Sequence, residues 1–370
     1  MLLRLRHPIR PAELASLERL ARERGYELRF LDEGKRVVEL TAGPGRADGR
    51  RAGDRSRFEE LSCVAGVLDA SDAPELTERT PGRADTLVRV GDAVFGGPYV
   101  ALVAGPCAVE DEARLLEIAR FVRAQGATLL RGGAYKPRTS PHAFQGLGHA
   151  GLEALARVRA EVGIAVVTEV LDPRDVERVA SVADMLQIGS RNMTNSALLT
   201  EVGRSAKPVL LKRGMAATAR EFLLAAEYVL AQGNPDVVLC ERGIRGFDRA
   251  TRNVLDLGTL VHLKLATHLP VVVDPSHAAG RSDLVLPLAR AGIAAGADGL
   301  VVEVHPEPGE ARSDGAQAIT HELFASLAES ASALAELLGR TLVRPREGSL
   351  SERSVSAQPA PARTRQVRTP

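Results

Sequence analysis

Apolar and polar positions follow two different patterns along the chain. From residue 99 onwards, short β-branched runs such as YVALVAG and AVVTEV alternate with amphipathic helical runs such as DEARLLEIARFVRAQG. Strands that are apolar throughout are typical of a parallel sheet buried on both faces. The alternation gives eight strands and eight helices and predicts an α/β fold with a closed (β/α)8 TIM barrel over residues 98–342. A doubly wound open sheet is the alternative, and the count of eight favours closure.

The N-terminal residues 1–75 combine strand and helix patterns in a different order. A strand in LLRLRH is followed by a helix in PAELASLERLARERG and by two strands in YELRFLDEGKRVVELTA around a turn at residues 32–34. A short helix in FEELSCVAG and a strand in GVLDA complete this region. The resulting βαββαβ order predicts a small ferredoxin-like domain.

Other segments lack the periodicity of a packed element. Residues 43–57 are rich in Gly, Arg and Asp and are expected to be mobile. Residues 76–97 are expected to link the two domains. The tail at residues 343–370 is polar and rich in Pro, a composition that predicts disorder.

The overall composition narrows the function classes. The chain carries 48 Lys and Arg against 47 Asp and Glu, so it lacks the global positive field that drives nucleic-acid binding. Aromatic residues make up 3% and Trp is absent, which disfavours stacking on bases. Three widely spaced cysteines do not form a disulfide framework. Neither a membrane span nor a signal peptide is recognisable, so we expect a cytoplasmic protein without nucleic-acid or membrane partners.

Polar or charged residues of functional types follow the carboxyl end of every predicted barrel strand, the edge from which barrel enzymes draw their functional groups. A single basic residue is usually paired with a nearby acid, but several at one rim favour an anion site for phosphorylated substrates. In GGAYKPRTS, arginine and lysine stand beside the hydroxyls of Thr139 and Ser140, a combination suited to phosphate oxygens. The candidate cations are Arg131, Lys136, Arg138, Arg191, Lys212 and Arg242.

Four further residues at neighbouring strand ends are candidate metal ligands. Thiolate, imidazole and carboxylate together suit a divalent Mn, Fe, Co or Zn ion. The spacing is too long to form a local motif, and Cys107 or His277 alone is equally compatible with a structural role. The four are Cys107, His277, Glu303 and Asp314.

The motifs AGPCAVE, LRGGAYKPRTSPHAFQGLG, TEV, QIGSRN, LLKRG, LCERGIR, VDPSHAAGR, VEVHP and SDGAQ occur in this order. With them, residues 97–340 resemble the 3-deoxy-D-arabino-heptulosonate 7-phosphate (DAHP) synthase family, type I, the first enzyme of the shikimate pathway of aromatic amino acid and chorismate biosynthesis. The resemblance implies a metal-dependent condensation of phosphoenolpyruvate (PEP) with erythrose 4-phosphate and water. Ser190 stands where this family commonly has Ala, a small change in the PEP pocket.

The resemblance also implies roles for individual residues. Lys136 would lie between the two substrates, and Glu169 is a candidate for assisting the attack of water. Cys107, His277, Glu303 and Asp314 match the metal ligands of the family. The PEP site would comprise Arg131, Lys136, Arg191, Lys212 and Arg242. The phosphate of erythrose 4-phosphate would be held by Arg138, Thr139 and Ser140.

Alternative functions remain open at this stage. The sister family of KDO-8-phosphate synthases joins PEP to arabinose 5-phosphate and typically has a KANRS-type stretch where this chain has Lys136-Pro137-Arg138. A non-catalytic phosphate-binding barrel and a metal aldolase are further alternatives, disfavoured by the complete ligand set and the number of cations. The N-terminal domain resembles a regulatory domain that binds Tyr or Phe, and the alternative is an oligomerisation element. The family suggests a homotetramer and a chorismate mutase partner.

Overall fold

The computed structural model describes residues 2–30, 37–43, 54–68, 74, 76–80, 82–138, 140 and 142–346. The chain divides into two compact units, Met1–Glu75 and Leu76–Pro370. The predicted turn at residues 32–34, most of the Gly-rich segment at residues 43–57 and the tail beyond residue 346 lie outside the described residues.

The N-terminal unit has the predicted βαββαβ order. Its elements are β1 (Leu2–Leu5), α1 (Pro11–Glu23), β2 (Tyr26–Phe30), β3 (Val37–Ala42), α2 (Asp54–Glu59) and β4 (Val64–Leu68). The sheet order is β2-β3-β1-β4 with antiparallel pairing throughout. Leu3, Leu17, Val38 and Phe58 form the centre of its core. This arrangement is consistent with a small ferredoxin-like domain.

Helix α2 begins earlier than the sequence pattern predicts. Buried Asp54, the first residue of α2, accepts hydrogen bonds from the Tyr26 hydroxyl at 2.9 Å and from Arg24 at 3.2 Å. The residues that follow, VAGVL, pair with β1 instead of extending the helix. Cross-strand pairing and β-branched side chains therefore override the helical pattern of FEELSCVAG.

The second unit contains the predicted TIM barrel. Its parallel strands are β7 (Tyr99–Gly105), β8 (Leu129–Arg131), β9 (Ala165–Glu169), β10 (Met185–Ile188), β11 (Val209–Lys212), β12 (Val237–Glu241), β13 (Val271–Val273) and β14 (Gly299–Glu303). Pairing of β14 with β7 closes the ring, which excludes the open sheet. A short strand, β15 (Thr341–Leu342), pairs in parallel with the first two residues of β7, Tyr99 and Val100.

Helices surround the barrel in strict alternation with the strands. They are α3 (Glu112–Ala124), α4 (His149–Val162), α5 (Val176–Val182), α6 (Ser196–Arg204), α7 (Ala219–Leu230), α8 (Leu257–Ala266), α10 (Ser282–Ala294) and α11 (His321–Leu337). The short helix α9 (Pro275–Ala279) is an addition that the sequence pattern did not predict. None of the described helices combines the length and the apolar character that crossing a membrane requires.

A β-hairpin packs into the interior of the barrel. It consists of β5 (Val88–Val90) and β6 (Ala93–Phe95), within the segment that the sequence analysis treats as a linker. Val88, Val90, Ala93 and Phe95 join one buried cluster with the inward-facing residues of the strands. The beginning of the second unit is therefore part of the barrel core.

The interior of the barrel changes from apolar to charged along its axis. Alternate residues of a strand point to the same side. Leu129, Val167, Leu210 and Val301 belong to the apolar interior cluster, and each is followed two residues later by a charged side chain on the same face. Those charged residues are Arg131, Glu169, Lys212 and Glu303, all buried. The period of two thus directs four charges to the carboxyl end of the barrel.

Candidate active site

A cavity at the carboxyl ends of the strands collects the predicted cations. Seven basic side chains line it together with two carboxylates, Glu169 and Asp314, and two of the basic side chains are ion-paired with the buried carboxylates of Asp274 and Glu303. The basic residues are Arg131, Lys136, Arg138, Arg191, Lys212, Arg242 and Arg252. The structure therefore brings all six predicted cations into one cavity and adds Arg252, which the sequence analysis missed.

Buried donors without partners face this cavity. Arg131 and Arg242 are each 4% exposed. Nε and Nη1 of Arg131 and Nε of Arg242 find no hydrogen-bond acceptor among the described residues. Burial lowers the pKa of Arg242, and the negative charge of Asp274, which would raise this pKa, has a smaller effect. Because an unpaired buried donor is costly, these arginines are suited to an anionic ligand that supplies the missing acceptors.

Asp274 connects the cation cavity with His277. Its Oδ2 accepts hydrogen bonds from Lys212 Nζ at 2.6 Å and from His277 Nδ1 at 2.7 Å. Its Oδ1 accepts from the backbone N–H of His277 at 2.9 Å and thereby caps helix α9. Burial alone would raise the pKa of Asp274, but His277 and Lys212 outweigh it and hold the pKa well below its usual range.

Helix α9 begins directly after strand β13. β13 stops at Val273, because the Asp274 side chain caps the following turn and Pro275 occupies the first helical position. The turn places the imidazole of His277 over the barrel mouth, with Nε2 at 3.4 Å from Glu303 Oε1.

Lys136 and Glu169 are two buried ionisable side chains in the lining of the cavity. Lys136 Nζ donates to the carbonyl of Cys107 at 3.1 Å. Burial alone would lower the pKa of Lys136, but Cys107 and Glu169 outweigh it and raise the pKa, so the ammonium is charged. Burial raises the pKa of Glu169, against the opposing charges of Lys136 and Lys212. Glu169 therefore accepts a proton more readily than a solvent-exposed glutamate does.

The loop that carries Lys136 depends on a glycine. A Cβ at Gly133 would lie 2.7 Å from Lys136 Cδ and 3.0 Å from the carbonyl oxygen of Cys107. The absence of a side chain lets the Lys136 stem lie against the backbone and reach Cys107. This close approach gives a structural reason for Gly133 in the GGAYK stretch.

The predicted metal ligands gather beside the cavity. Ligand atoms of Cys107, Glu303 and Asp314 lie within 4.8 Å of one another. The Cys107 thiol donates to Asp314 Oδ2 at 3.2 Å. Asp314 adopts a φ of 54°, a left-handed conformation that aspartate tolerates better than most residues. His277 is not a member of this three-residue group, but its Nε2 lies 3.4 Å from Glu303 Oε1.

The hydrogen-bond pattern of this cluster fits a cation. His277 Nδ1 donates to the Asp274 carboxylate, which leaves a lone pair on Nε2. Burial lowers the pKa of His277, so the ring is neutral at pH 7. The Nε2 lone pair faces Glu303 Oε1, a buried oxygen that also forms an ion pair with Arg131 Nη2 at 3.0 Å. A divalent metal between the two acceptors would add to the positive charge that Arg131 supplies.

Burial raises the pKa of the Cys107 thiol to about 12, and the charge of Glu303 adds to the effect. A thiol in this environment keeps its proton unless a cation replaces it. Cys107 is therefore a metal ligand candidate and not a free nucleophile. Cys63 and Cys240 are buried and lie outside this cluster.

Of the two hydroxyls predicted in the KPRTS stretch, the structure describes that of Ser140, which is not among the residues lining the cavity. Thr139 lies outside the described residues. Ser140 is exposed and accepts from the backbone N–H of His142 at 3.3 Å. Arg138 lines the cavity, and its guanidinium donates to the Ser313 hydroxyl at 2.5 Å and to the Phe144 carbonyl at 2.9 Å.

Residues 85–339 match the DAHP synthetase I family. The chain belongs to this family. It is 50% identical over 283 residues to the phospho-2-dehydro-3-deoxyheptonate aldolase of Thermotoga maritima, a match covering 76% of this chain and 84% of that protein. The 2-dehydro-3-deoxyphosphooctonate aldolase of Syntrophotalea carbinolica is 36% identical over 255 residues, covering 64% of this chain and 90% of that protein.

Solved structures support the same assignment. The crystal structure of phospho-2-dehydro-3-deoxyheptonate aldolase (DAHP synthase) from Thermotoga maritima superposes with a TM-score of 0.75 at 43% identity, over 92% of this chain and 98% of that chain. A truncated form of the 3-deoxy-D-arabino-heptulosonate 7-phosphate synthase of the same organism gives a TM-score of 0.68 at 48% identity, over 72% of this chain and 98% of that chain. The predicted family and the predicted barrel are therefore confirmed.

Proposed function

We propose that this chain is a DAHP synthase, which joins PEP to erythrose 4-phosphate with uptake of water and release of phosphate. The observation that carries the proposal is the adjacency of the seven-cation cavity and the cluster of Cys107, His277, Glu303 and Asp314. Two multiply anionic substrates repel each other, and a fixed set of cations lowers the cost of holding them together. Family membership and the 50% identical relative support the same reaction.

Within the cavity, the buried cations suit the phosphate and carboxylate of PEP. Arg131 and Arg242 have free donors, and Lys212 offers a compact charge fixed by Asp274. Arg191, which lines the outer cavity, would complete the PEP site. Arg138 would hold the phosphate of erythrose 4-phosphate, with Thr139 and Ser140 as the remaining predicted contacts. This division keeps the reacting carbons near Lys136.

Cys107, His277, Glu303 and Asp314 are proposed to hold a divalent metal, with Mn, Fe, Co and Zn as the candidates. When bound, such an ion polarises the aldehyde of erythrose 4-phosphate as a Lewis acid. Asp274 fixes the tautomer of His277, and Lys136 places its ammonium against the Cys107 carbonyl beside the cluster. The four side chains thus provide the mixed sulfur, nitrogen and oxygen donors that these ions accept.

Lys136 is the proposed proton donor of the reaction, and Glu169 is the proposed proton acceptor. C3 of PEP forms a bond to the aldehyde carbon, and the charged Lys136 gives a proton to the aldehyde oxygen. Water adds at C2 of PEP, and Glu169, whose pKa is raised by burial, takes a proton from that water. Collapse of the resulting centre breaks the C2–O bond to the phosphate, the proton of the C2 hydroxyl passes to the departing phosphate, and the ketone of the seven-carbon product remains. The cations that held the phosphate of PEP stabilise the departing anion.

The choice of sugar separates this function from that of the sister family. Relatives called 2-dehydro-3-deoxyphosphooctonate aldolase are 31–36% identical to this chain. Pro137 lines the cavity between Lys136 and Arg138, in the stretch where the sister family typically has KANRS. The proline fixes the backbone between these two cations, and the KPRTS form of the stretch resembles that of the enzymes that use erythrose 4-phosphate.

The N-terminal unit is proposed to bind Tyr or Phe and to regulate the barrel. Its βαββαβ order and its likeness to the regulatory domain support this role. The test compares inhibition of the full chain by Tyr and by Phe with that of a variant lacking residues 1–75. Inhibition that survives the deletion would contradict a regulatory role. A homotetramer and a chorismate mutase partner are further proposals from the family, to be checked by light scattering and by co-purification.

The reaction is tested by phosphate release from PEP with erythrose 4-phosphate and, separately, with arabinose 5-phosphate. We expect release with the four-carbon sugar in Mn-loaded protein and loss of activity after chelation. Release with arabinose 5-phosphate alone would assign the chain to the sister reaction. Absence of release with either sugar from folded, metal-loaded protein would favour a non-catalytic phosphate-binding barrel.

A further inference from the structure

Two residues outside the proposed ligand set connect the two carboxylates of the metal cluster. Gln317 is 2% exposed, and its Nε2 donates to Glu303 Oε2 at 2.7 Å. Its Oε1 accepts from Arg252 Nη1 at 2.9 Å. Arg252 Nη1 also donates to Asp314 Oδ1 at 3.2 Å. A continuous chain of hydrogen bonds therefore runs from Glu303 through Gln317 and Arg252 to Asp314.

Each carboxylate is left with one oxygen for the cluster. Oε2 of Glu303 is occupied by Gln317, whereas Oε1 lies 3.4 Å from His277 Nε2 and pairs with Arg131 Nη2 at 3.0 Å. Oδ1 of Asp314 is occupied by Arg252, whereas Oδ2 lies 3.2 Å from the Cys107 sulfur. The two remaining oxygens both adjoin another proposed ligand.

The backbone around Arg252 is tied to the helix that carries His277. The N–H of Arg252 donates to the Ala279 carbonyl at 3.0 Å, and the N–H of Asn253 donates to the Ala278 carbonyl at 2.8 Å. The Asn253 side chain donates to the carbonyl of His277 at 2.8 Å. The loop between β12 and α8 therefore holds helix α9 with its backbone and Asp314 with the Arg252 side chain.

We propose that Gln317 and Arg252 are positioning residues that reserve Glu303 Oε1 and Asp314 Oδ2 for the metal. The inference rests on the proposed metal site and adds a role to residues that do not contact the ion. By occupying the other oxygens, the pair prevents either carboxylate from rotating away or from chelating the ion with both oxygens. Supporting hydrogen bonds of this kind orient metal ligands in many proteins.

The test measures binding of Co²⁺ to metal-free full-length protein by calorimetry and by the absorption of the cobalt–thiolate bond. Gln317→Met keeps the volume of the side chain but removes both hydrogen bonds. We expect its dissociation constant for Co²⁺ to rise about 10- to 100-fold, together with a changed d–d spectrum. Asn234→Leu is the matched control, because Asn234 is an equally buried amide that donates to the Lys207 carbonyl at 2.8 Å. This control should bind Co²⁺ as the wild type does.

Arg252→Met distinguishes the positioning role of Arg252 from the effect of its positive charge on Co²⁺ binding. Removal of a positive charge near a cation site should by itself tighten cation binding. The positioning role predicts the opposite, weaker Co²⁺ binding with a changed spectrum. Arg249→Met removes an exposed charge from the same loop and serves as its control. Because Arg252 is partly exposed, this variant also decides the matter if Gln317→Met does not fold.

The outcomes distinguish this inference from the proposed function. Wild-type binding of Co²⁺ with a thiolate band, together with unchanged affinity in both variants, would overturn the positioning role and leave the metal site in place. Tighter binding by Arg252→Met would overturn it as well. Failure of the wild type to bind Co²⁺ would remove the metal site itself and with it both proposals.

Discussion

At the scale of single residues, Asp274 shows how the site depends on precise partners. One carboxylate fixes a buried ammonium, sets the tautomer of an imidazole and caps the short helix that carries it. Lys212 is 3% exposed and Asp274 is 0% exposed. If one partner were removed, water could not solvate the charge of the other. A buried pair of this kind is costly to break, because the remaining charge stays desolvated.

Asp274→Asn should therefore destabilise the protein by about 3–5 kcal/mol at pH 7. The pKa of Asp274 is held well below its usual range, so its contribution is fully present above the unfolded-state pKa of about 3.9 and is lost only as the pH falls further. Urea unfolding between pH 5 and pH 8 should show a constant difference from the wild type. A difference that vanishes within this range would contradict the assignment. Asp283→Asn, which breaks an exposed pair with Arg281, is the control.

Metal binding should expel the proton of Cys107. Its pKa is raised to about 12, so the thiol is protonated between pH 6 and pH 8, and the affinity for metal should rise about tenfold per pH unit. Calorimetry in buffers of different ionisation enthalpy measures the released proton directly. Cys107→Ala should release none and bind metal weakly, whereas Cys63→Ala should behave as the wild type. A pH-independent affinity would show that the thiolate is not a ligand.

At the scale of elements, one part of the barrel interior is packed with apolar side chains and the other carries the charged groups of the site. The hairpin of β5 and β6 packs among the apolar interior residues, whereas the carboxyl ends of the strands present the charges. The loop after β8 reaches the metal cluster because Gly133 admits the Lys136 stem. Substitutions in the hairpin should therefore lower the stability of the barrel, whereas substitutions in the loop after β8 should lower the activity.

Gly133→Ala should lower kcat while the protein remains folded. The added Cβ would meet Lys136 Cδ at 2.7 Å, which forces the lysine away from the Cys107 carbonyl. We expect a loss of at least about tenfold, because small displacements of catalytic groups are costly. Gly309→Ala is the control, since a Cβ at that position meets nothing within 4 Å. Equal kcat in the two variants would contradict the positional role of Gly133.

Phe95→Ala should destabilise the barrel without altering the metal site. Phe95 is fully buried in the interior cluster, and large-to-small changes at such positions cost about 3–5 kcal/mol. The variant should unfold at lower urea concentration and, where folded, bind Co²⁺ as the wild type does. A selective loss of metal affinity at unchanged stability would show that the hairpin acts on the site.

At the scale of the whole molecule, the barrel and most of its cations could be predicted, because most buried strands are continuous apolar runs that end in a charged residue. Arg252 could not be predicted, since its place depends on loop hydrogen bonds to helix α9 that no periodicity records. The β5–β6 hairpin was missed because strands of three residues do not stand out from a linker. Helix α9 was missed because Asp274 and Pro275 end an otherwise regular strand.

The most direct test of the central claim is the mass of the product formed from PEP and erythrose 4-phosphate during titration of metal-free protein with Mn²⁺. We expect the phosphorylated seven-carbon acid to appear in proportion to bound metal and to reach its maximal rate at one ion per chain. Formation of this product by the metal-free protein, or its absence at full metal occupancy, would contradict the claim that the cation cavity and the metal cluster act as one active site.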